Sequence, residues 1–259
     1  MYTGEQAIRY LNLIKNIDNW WVHFLIKFGL FNRPRVVWRA KNGVRLETPL
    51  SMIHPFKEIF MEECYTHGAP LKITDNMTIV DIGANIGTFV AFAAMRFPGS
   101  RILAYEPIPE NFRQLQKNAN LNSHCQIICH QKAVSGAKGE MLLQMVESGF
   151  STTASVKVNH NPAMHTIKVE CVGIKDIFEE NDIGVCDFLK IDCEGTEYDA
   201  ILSCPSEYIG RIRRMAIETH SGTEPGHNTA MLRKHLDEHG FITHETPKAL
   251  AMLYAWREE

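Results

Sequence analysis

One stretch, residues 78–89 with the sequence TIVDIGANIGTF, limits what this chain can fold into more than any other. It begins with a β-branched apolar run typical of a buried parallel strand, contains two glycines, and leads into a helical pattern over residues 86–97. Glycine lets the backbone of such a turn approach a ligand, and the N–H groups that open the helix can face that ligand. The stretch predicts a strand, a tight turn and a helix start that together bind a nucleotide.

The spacing of the glycines argues against a dinucleotide. A dinucleotide fingerprint has glycine at its first, third and sixth positions, whereas here Asn85 lies between Gly83 and Gly87, and Thr88 takes the sixth position. With Asp81 before the first glycine, the turn instead resembles the loop that holds S-adenosylmethionine in Rossmann-like methyltransferases. An ordinary glycine-containing turn between strand and helix is the alternative, because short glycine motifs have many false positives.

A carboxylate ends the next predicted strand. Residues 101–105 predict that strand, and Glu106 and Pro107 close it. Ligands of a doubly wound sheet bind at the carboxyl ends of its strands, where a carboxylate can accept hydrogen bonds from both hydroxyls of a ribose. A solvated Glu106 is the alternative. The combined pattern favours an adenosyl site formed by Asp81, Gly83, Asn85, Gly87, Glu106 and Ala133, with Ala133 beside the adenine.

Composition indicates one large globular domain without a general attraction for nucleic acid. The 259 residues are 45% hydrophobic and 22% charged, with a formal net charge of −3. A pI near 6.5 gives no field that attracts nucleic acid or anionic lipid. The densest basic cluster, Arg211, Arg213 and Arg214, is interpreted as the solvated start of a strand.

The seven cysteines predict a reducing compartment. Their number is odd and their spacing fits no paired zinc motif, so we expect reduced and mostly buried thiols and a cytoplasmic location. No apolar run is long enough to span a bilayer, and the first residues lack the form of a signal peptide.

Residues 1–70 are predicted to form an N-terminal helical and β-hairpin extension. A helical pattern with tryptophans and phenylalanines covers residues 4–30 and is interpreted as a packing face. A lid, a homo-oligomer contact or a membrane-surface helix are the alternatives, because Lys15, Lys27 and Arg33 interleave with the aromatic residues. An Asn-Gly turn predicts a hairpin of residues 36–39 and 44–47, and residues 55–65 predict an amphipathic helix.

Residues 71–259 are predicted to form an α/β domain. The predicted core strands cover residues 78–82, 101–105, 126–129, 186–191, 215–218, 241–244 and 250–256. The predicted helices cover residues 86–97, 110–121, 174–180, 196–202 and 228–240. The order predicts a mostly parallel seven-stranded sheet with helices on both faces and a closing antiparallel strand. Two further β-rich pieces, 141–146 and 167–172, flank a polar loop over residues 147–166, interpreted as a substrate-facing segment or a mobile hairpin tip.

The end of the fourth core strand, LKIDCEG over residues 189–195, completes a resemblance to a known family. Together with VDIGANIG at residues 80–87 and YEP at residues 105–107, it is similar to the FkbM family of S-adenosylmethionine-dependent methyltransferases over roughly residues 60–256. The resemblance implies a class I methyltransferase fold, S-adenosylmethionine as cofactor, and O-methylation of a sugar or glycan hydroxyl or of a secondary metabolite. The N-terminal aromatic helix and the 147–166 loop lie outside these motifs, so the acceptor is not implied.

Four polar residues at the ends of the central strands are the candidates for the chemistry. If both segments stay extended, Asp192 and Glu194 face the same crevice as Glu218 and His220. Asp192 or His220 would act as general base, with Glu194 as a further catalytic candidate. Alternatively, the three carboxylates and His220 would hold a divalent cation. A network that only shapes the loops is the third interpretation. We favour the metal-free version, because the ammonium group of the cofactor can satisfy carboxylates here, Asp192 included.

The function that these patterns predict is methyl transfer to a hydroxyl of a small molecule or glycan. A dinucleotide-dependent oxidoreductase or epimerase is one alternative, and a methyltransferase for a lipid, peptide or nucleic acid is another. A cofactor-binding module without activity is the third.

Overall fold

Strands and helices alternate through most of the structure, a computed structural model that describes residues 4–68, 70, 76–146, 164–220, 222, 224–246 and 251–258. The strands of these residues are β1 (Arg35–Arg39), β2 (Arg45–Pro49), β3 (Thr78–Ile82), β4 (Arg101–Tyr105), β5 (Gln126–His130), β6 (Ala133–Val134), β7 (Gly139–Val146), β8 (Met164–Val172), β9 (Phe188–Ile191), β10 (Arg214–Glu218), β11 (Ile242–Glu245) and β12 (Met252–Trp256). The α-helices are α1 (Gly4–Asn16), α2 (Trp21–Lys27), α3 (Ile53–Phe56), α4 (Thr88–Arg96), α5 (Pro109–Asn120), α6 (Ile174–Glu180), α7 (Glu197–Leu202), α8 (Ser206–Ile209) and α9 (Thr229–Glu238).

A seven-stranded sheet in the order β11-β12-β10-β9-β3-β4-β5 lies at the centre. Strand β12 is antiparallel to β10 and to β11, and the remaining neighbours pair in parallel. This topology confirms the predicted α/β fold, including the closing antiparallel strand. Strands β6, β8 and β7 form a separate small sheet, which contains both of the predicted β-rich pieces.

Both faces of the sheet are covered, as the continuous apolar strands require. Along β3, Ile79 packs into the core on one face, with Phe89 of α4, whereas Val80 and Ile82 pack into the core on the other face, with Ile177 of α6. Burial of each such side chain contributes roughly 1.5–3 kcal/mol. The carboxyl ends of β3, β4 and β9 are thereby held at one edge of the sheet.

Residues 4–30 do not form the single helical pattern that the sequence predicts. The structure has two helices, α1 and α2, because the backbone between them pairs with the β1–β2 hairpin. The N–H of Asp18 donates to the carbonyl of Arg39 at 2.8 Å, and the N–H of Lys41 donates to the carbonyl of Asn16 at 3.0 Å. Peptide groups used in this way cannot continue the α-helical ladder.

The N-terminal helices share a core with the main domain but keep part of their apolar surface exposed. Leu13 and Ile17 are buried in the same core as β3 and α4, whereas Leu11, Trp21 and Phe28 are exposed. A packing role for one face agrees with the first interpretation of this segment. The extension as a separate unit, a membrane-surface contact and an oligomer contact stay predictions.

The helix predicted over residues 55–65 is also different in the structure. A 3₁₀ turn (Leu50–Met52) precedes α3, and a π-helical turn (Lys57–Met61) follows it and ends the helical segment. The N–H of Glu62 donates to the carbonyl of Lys57, five residues earlier, at 3.1 Å. The wider turn buries three consecutive side chains, those of Ile59, Phe60 and Met61.

Most other predicted boundaries lie within two residues of the observed ones, and β8 begins three residues earlier than expected. The short elements β6 and α8 were not predicted. Residues 147–163 of the predicted loop and residues 247–250 before β12 lie outside the described residues. None of the described helices is long and apolar enough to cross a membrane.

The arginine cluster at the start of β10 is not uniformly solvated. Arg213 is exposed and pairs with Asp187, but Arg214 is buried and its Nε donates to the carbonyl of Pro70 at 3.0 Å. The prediction of a solvated strand start is therefore wrong for Arg214, whose guanidinium instead joins β10 to the chain that precedes β3.

The turn between β3 and α4 needs its glycines for close packing. Gly83 has φ +76°, and a Cβ atom there would lie 1.7 Å from the backbone oxygen of Asp192. Gly87 has φ +85°, and its Cβ would lie 2.8 Å from a methyl carbon of Leu115. Asn85, in the position where many such turns have glycine, has φ 51°. Asparagine is one of the few residues with a side chain that adopts this left-handed conformation readily.

The contact between Gly83 and Asp192 predicts a large loss of stability in Gly83→Ala. The methyl group would meet a backbone atom that cannot move aside, in addition to the cost of about 1–2 kcal/mol for a left-handed residue with a side chain. Gly43→Ala is the matched control, because Gly43 has φ +91° with open space around it. We expect the free energy of unfolding in urea to fall by about 2 kcal/mol more in Gly83→Ala than in the control. Equal losses would contradict this account of the turn.

Candidate functional site

Two cavities adjoin at the carboxyl ends of β3, β4 and β9. Gly83, Asn85, Asp192 and Glu194 line both of them. The first, called the slot below, is lined in addition by Glu106 and the residues around it and has a volume of about 70 Å³. The second, called the acid-lined cavity, has a volume of about 360 Å³. Ligand pockets usually measure about 300–1,000 Å³, so the acid-lined cavity is within that range and the slot is narrower.

The lining of the slot fits an adenosyl group. Its apolar part is formed by Ile108, Ala133, Val134, Met141 and Leu143. Its polar part contains Glu106, which is 4% exposed, beside Asn85 and Asn111. An apolar slot for a flat base next to a carboxylate for two vicinal hydroxyls is the combination that adenosine requires. The predicted adenosyl contacts of Glu106 and Ala133 stay predictions, and both residues are in the expected place.

Backbone amides orient the carboxylate of Glu106. Its Oε2 accepts from the N–H of Asn85 at 2.8 Å, and its Oε1 accepts from the N–H of Ile108 at 2.9 Å. Burial raises the pKa of Glu106 to about 7, although these two amides and the charge of Lys190 oppose the increase. Asn111 Nδ2 lies 3.5 Å from Oε1, at the limit of a hydrogen bond, so a ligand diol would replace this weak contact at Oε1 and use the remaining acceptor position of Oε2.

The amides of the glycine turn do not face a ligand, contrary to the sequence-based expectation. The N–H groups of Gly83 and Ala84 donate to the carbonyl of Tyr105 at 3.0 and 2.9 Å, and the N–H of Ile86 donates to the side chain of Asn85. The glycine turn is therefore tied to β4 by its own amides. Two residues of the turn line the slot: Gly83, which offers backbone without a side chain, and Asn85.

A buried ion pair lies beneath the two cavities. Lys190 Nζ is 3.0 Å from Asp81 Oδ1 and 3.7 Å from Asp192 Oδ2, and it donates to the carbonyl of Gly83 at 2.8 Å. Burial alone lowers the pKa of Lys190, but the charges of Asp81 and Asp192 raise it above its usual value. The lysine therefore stays protonated and holds the glycine turn against the end of β9.

The predicted cofactor residues are not all at the cavity surface. Gly83, Asn85, Glu106, Ala133 and Asp192 line the slot. Asp81 is fully buried and, like Gly87, lines neither cavity. In the structure Asp81 holds Lys190, and Gly87 lets α4 pack closely against α5. A direct cofactor contact of either residue stays a prediction that the geometry does not favour.

The four predicted chemical residues do come together. His220 Nε2 lies 3.9 Å from Asp192 Oδ1, 3.7 Å from Glu194 Oε2 and 3.9 Å from Glu218 Oε1. These distances exceed a hydrogen bond, so the groups interact by charge. The assumption of extended backbone is wrong at Glu194, which has φ 55°. A left-handed turn, rather than strand alternation, brings Glu194 to His220.

Glu197 was missed in the sequence, and it determines the state of His220. Its carboxylate is fully buried, accepts from the backbone N–H of His220 at 2.7 Å, and has Oε1 3.4 Å from His220 Nδ1. Burial alone lowers the pKa of His220, but Glu197 and then Glu194 and Asp192 outweigh it and raise that pKa to about 9. The imidazole therefore carries a proton at neutral pH. No sequence motif marked Glu197, which lies two residues beyond the LKIDCEG segment.

Tyr65, also missed, connects two of the carboxylates. Its hydroxyl oxygen lies within hydrogen-bond distance of both, 3.0 Å from Asp192 Oδ2 and 3.1 Å from Glu218 Oε2. Burial and the charge of Asp192 raise the pKa of Glu218 to about 7, and the hydrogen bond from Tyr65 opposes the increase. The hydroxyl has only one hydrogen to donate. Both contacts can be hydrogen bonds when Tyr65 donates to Asp192 and accepts from a protonated Glu218.

Asp192, Glu218 and His220 could also hold a metal ion. One ligand atom from each of these side chains lies within 4.8 Å of the other two, and Glu194 is not part of this group. Two carboxylates and an imidazole suit a divalent cation. Tyr65 lies within hydrogen-bond distance of Asp192 and Glu218, and the positive charge of Lys190 lies near Asp192. These contacts agree with the preference for a metal-free site. The metal requirement stays a prediction.

Cys193, between two site residues, is a packed thiol. Burial raises its pKa well above the usual value, so it is not a thiolate at neutral pH. All seven cysteines are free.

The sheet and the paired cavities define a Rossmann-like class of ligand-binding domain, and comparison with known proteins gives the family. A profile described as "Methyltransferase FkbM domain" matches residues 81–243. The chain therefore belongs to the FkbM family of methyltransferases, as its motifs predicted. This membership decides against the dinucleotide-dependent alternative.

Three similar proteins agree with this assignment. "Methyltransferase 1" of Beauveria bassiana is 30% identical over 196 residues, which are 69% of this chain and 76% of the relative. "Methyltransferase sdnD" of Sordaria araneosa is 27% identical over 237 residues, 79% of this chain and 89% of the relative. "31-O-demethyl-FK506 methyltransferase FkbM" of Streptomyces tacrolimicus is 29% identical over 209 residues, 70% of this chain and 79% of the relative.

Tyr65→Phe is expected to destabilise the protein more above pH 7 than below it. The change removes the donor that lowers the pKa of Glu218, so that pKa rises, and above pH 7 two unbridged carboxylates face each other. We expect a loss of about 1–3 kcal/mol at pH 8.5 and a smaller loss at pH 5.5, where protonated Glu218 can donate to Asp192. Urea denaturation at both pH values measures the difference. Tyr10→Phe is the control, because the hydroxyl of Tyr10 accepts from Lys27 far from these acids. The same loss at both pH values would show that Tyr65 only fills space.

Proposed function

We propose that this protein is an S-adenosylmethionine-dependent O-methyltransferase whose acceptor is a hydroxyl of a sugar, glycan or secondary metabolite. The observation that carries the proposal is the pair of adjoining cavities with Asp192 in the wall of both. A cofactor in the slot and an acceptor in the acid-lined cavity would meet at this carboxylate. The name of the Streptomyces relative, which denotes action on a 31-O-demethyl compound, supports oxygen as the accepting atom.

The slot would hold the cofactor through residues in or directly after four strands, β4, β6, β7 and β9. Glu106 would accept from the ribose hydroxyls, Ala133 and Leu143 would contact the adenine, and Asp192 or Glu194 would face the ammonium group of the methionine part. When bound, S-adenosylmethionine supplies an electrophilic methyl group on a sulfonium, and the acceptor oxygen attacks it in line. The walls of the slot exclude water from this group.

Asp192 is the general base that the geometry supports best. The acceptor hydroxyl would give its proton to Asp192 as the new O–C bond forms and the S–C bond breaks. General bases of this kind contribute about 10²–10⁴-fold in rate, and correct positioning contributes more. His220 already holds a proton at neutral pH, so its role would be to stabilise the negative charges of Asp192, Glu194 and Glu218.

The free thiols suit a reducing compartment, and we infer the cytosol as the place of action from them alone.

Glu106→Ala should weaken cofactor binding at least tenfold without abolishing the fold. The wild-type affinity should also rise as the pH increases through about 7, because only the ionised carboxylate accepts from both hydroxyls. Isothermal titration with S-adenosylmethionine at pH 6 and pH 8 measures both effects, with NAD titrated in parallel. Glu110→Ala is the control, since Glu110 is a nearby acid that lines neither cavity. Unchanged affinity in Glu106→Ala would refute the ribose assignment.

Asp192→Asn should lower kcat at least a hundredfold while cofactor affinity changes much less. His220→Gln should lower kcat less and remove the fall in rate that wild type is expected to show as the pH rises through about 9, where His220 loses its proton. Methyl transfer from labelled cofactor to an acceptor found by screening sugars, glycans and metabolite extracts gives these rates. Activity should survive treatment with EDTA. Loss with EDTA and recovery with Mg²⁺ would replace the general base with a metal ion at Asp192, Glu218 and His220.

A further inference from the structure

The acid-lined cavity receives one wall from the segment that precedes the methyltransferase domain. Ser51, His54, Glu58 and Tyr65 line it opposite the ends of β9 and β10. Glu58 projects from the π-helical turn (Lys57–Met61), a distortion often found at functional sites. The position of this turn is fixed by α1, because Asn12 Nδ2 donates to the carbonyl of Met61 at 3.0 Å.

Negative charge exceeds positive charge in this cavity. Four carboxylates line it, those of Glu58, Asp192, Glu194 and Glu218. Among its described lining residues Lys190 is the one with a permanent positive charge, and Asp81 already pairs with it. Protonated His220, 3.7–3.9 Å from Asp192, Glu194 and Glu218, adds one positive charge, so the carboxylates still outnumber the cations. His54 Nδ1 lies 3.1 Å from Glu58 Oε2 and lowers the pKa of Glu58, but its side chain is 76% exposed, so water screens this pair. Partly buried carboxylates in excess are costly unless a cation joins them.

Two of the carboxylates are not needed by the cofactor. Asp192 and Glu194 line both cavities, so the ammonium group of the cofactor can satisfy them. Glu58 and Glu218 line the acid-lined cavity alone. Burial raises the pKa of Glu58, and the negative charges of Glu62 and Asp192 act in the same direction, although His54 opposes them. A positive ligand group would relieve this repulsion.

A buried hydroxyl without a hydrogen-bond partner belongs to a residue in the wall of the same cavity. Thr88, in the first turn of α4, is 3% exposed and lines the cavity. Its Oγ1 has no hydrogen-bond partner among the described residues. A buried hydroxyl without a partner costs about 1–3 kcal/mol, and a ligand hydroxyl or amine would remove that cost.

We propose that the acid-lined cavity selects acceptors that carry a protonated amine in addition to the hydroxyl that is methylated, and that Glu58 and Glu218 bind this ammonium group. This inference rests on the proposed function, because it takes the reaction to be methyl transfer to a hydroxyl. Thr88 binds a polar group of the same acceptor. Glu58 is the specificity-determining residue, because it comes from the N-terminal wall and does not line the slot.

An organic cation fits better than a metal ion at Glu58. The group that could hold a metal comprises Asp192, Glu218 and His220, and Glu58 does not belong to it. A single divalent ion at that group would leave the carboxylate of Glu58 without a cation. An ammonium group has three hydrogens, so it can serve more than one of the carboxylates that line this cavity, Glu58 among them.

Ligand-observed NMR tests the proposal without methyl transfer. The probes are small amino alcohols and amino sugars, each measured beside its N-acetyl derivative, which has nearly the same shape but no charge. We expect the best amine to bind at least tenfold more tightly than its N-acetyl partner, with or without S-adenosylhomocysteine. Glu58→Gln should reduce this ratio to about one, and Glu218→Gln should also reduce it. Glu62→Gln is the matched control, because Glu62 lies just after the same turn but pairs with Arg9 outside the cavity.

Three outcomes would overturn the proposal: equal binding of the neutral partners, no binding by any amine, or a full preference retained in Glu58→Gln. Mn²⁺ binding, measured by electron paramagnetic resonance, distinguishes a metal ion from an amine as the source of positive charge. Mn²⁺ that displaces the amine and is lost in Glu58→Gln would make the cation a metal and refute the amine. Titration of the same samples with S-adenosylhomocysteine tests the proposed function separately, since absence of cofactor binding would refute that function whatever the amine result.

Discussion

The site depends on the lysine buried between β3 and β9. Lys190 binds Asp81 on one strand and the carbonyl of Gly83 at the start of the glycine turn, and it lies close to Asp192 at the end of its own strand. A charge with so little access to water is tolerated only because its partners surround it. The same contacts fix the distance between the turn and the acids. The carboxylate of Asp192, which faces both cavities, is therefore positioned by the core of the protein and not by a surface loop.

The sheet could be predicted well because its signals are local and repeated. Continuous apolar strands, glycine turns and amphipathic helices each occupy a few neighbouring residues, and the order along the chain limits the topology. The N-terminal region was predicted less well, because its structure depends on distant partners. The break after α1 results from pairing with the β1–β2 hairpin, and the π-helical turn results from burial of Ile59, Phe60 and Met61 against the domain. Neither contact can be recognised from the local sequence of the N-terminal region.

Residues at strand ends could be predicted, and the residues that support them could not. The positions of Glu106, Asp192 and His220 follow from the rule that ligands bind at the carboxyl ends of parallel strands. Glu197 and Tyr65 reach the same place from a helix and from the N-terminal segment, and their roles depend on side-chain contacts between parts of the chain distant in sequence or on different elements. The expected role of the glycine turn was wrong for a related reason. Its amides looked available in the sequence, but the carbonyl of Tyr105 accepts from two of them.

The position of β12 in the sheet has a consequence for how the chain folds during synthesis. This strand comes last in the order of elements, yet it lies between β10 and β11 and pairs with both. During synthesis, β10 and β11 leave the ribosome before the strand that joins them. Until it follows, each exposes a row of unpaired peptide groups of the kind that promotes aggregation. The facing edges of β10 and β11 are therefore protected once β12 enters the gap between them.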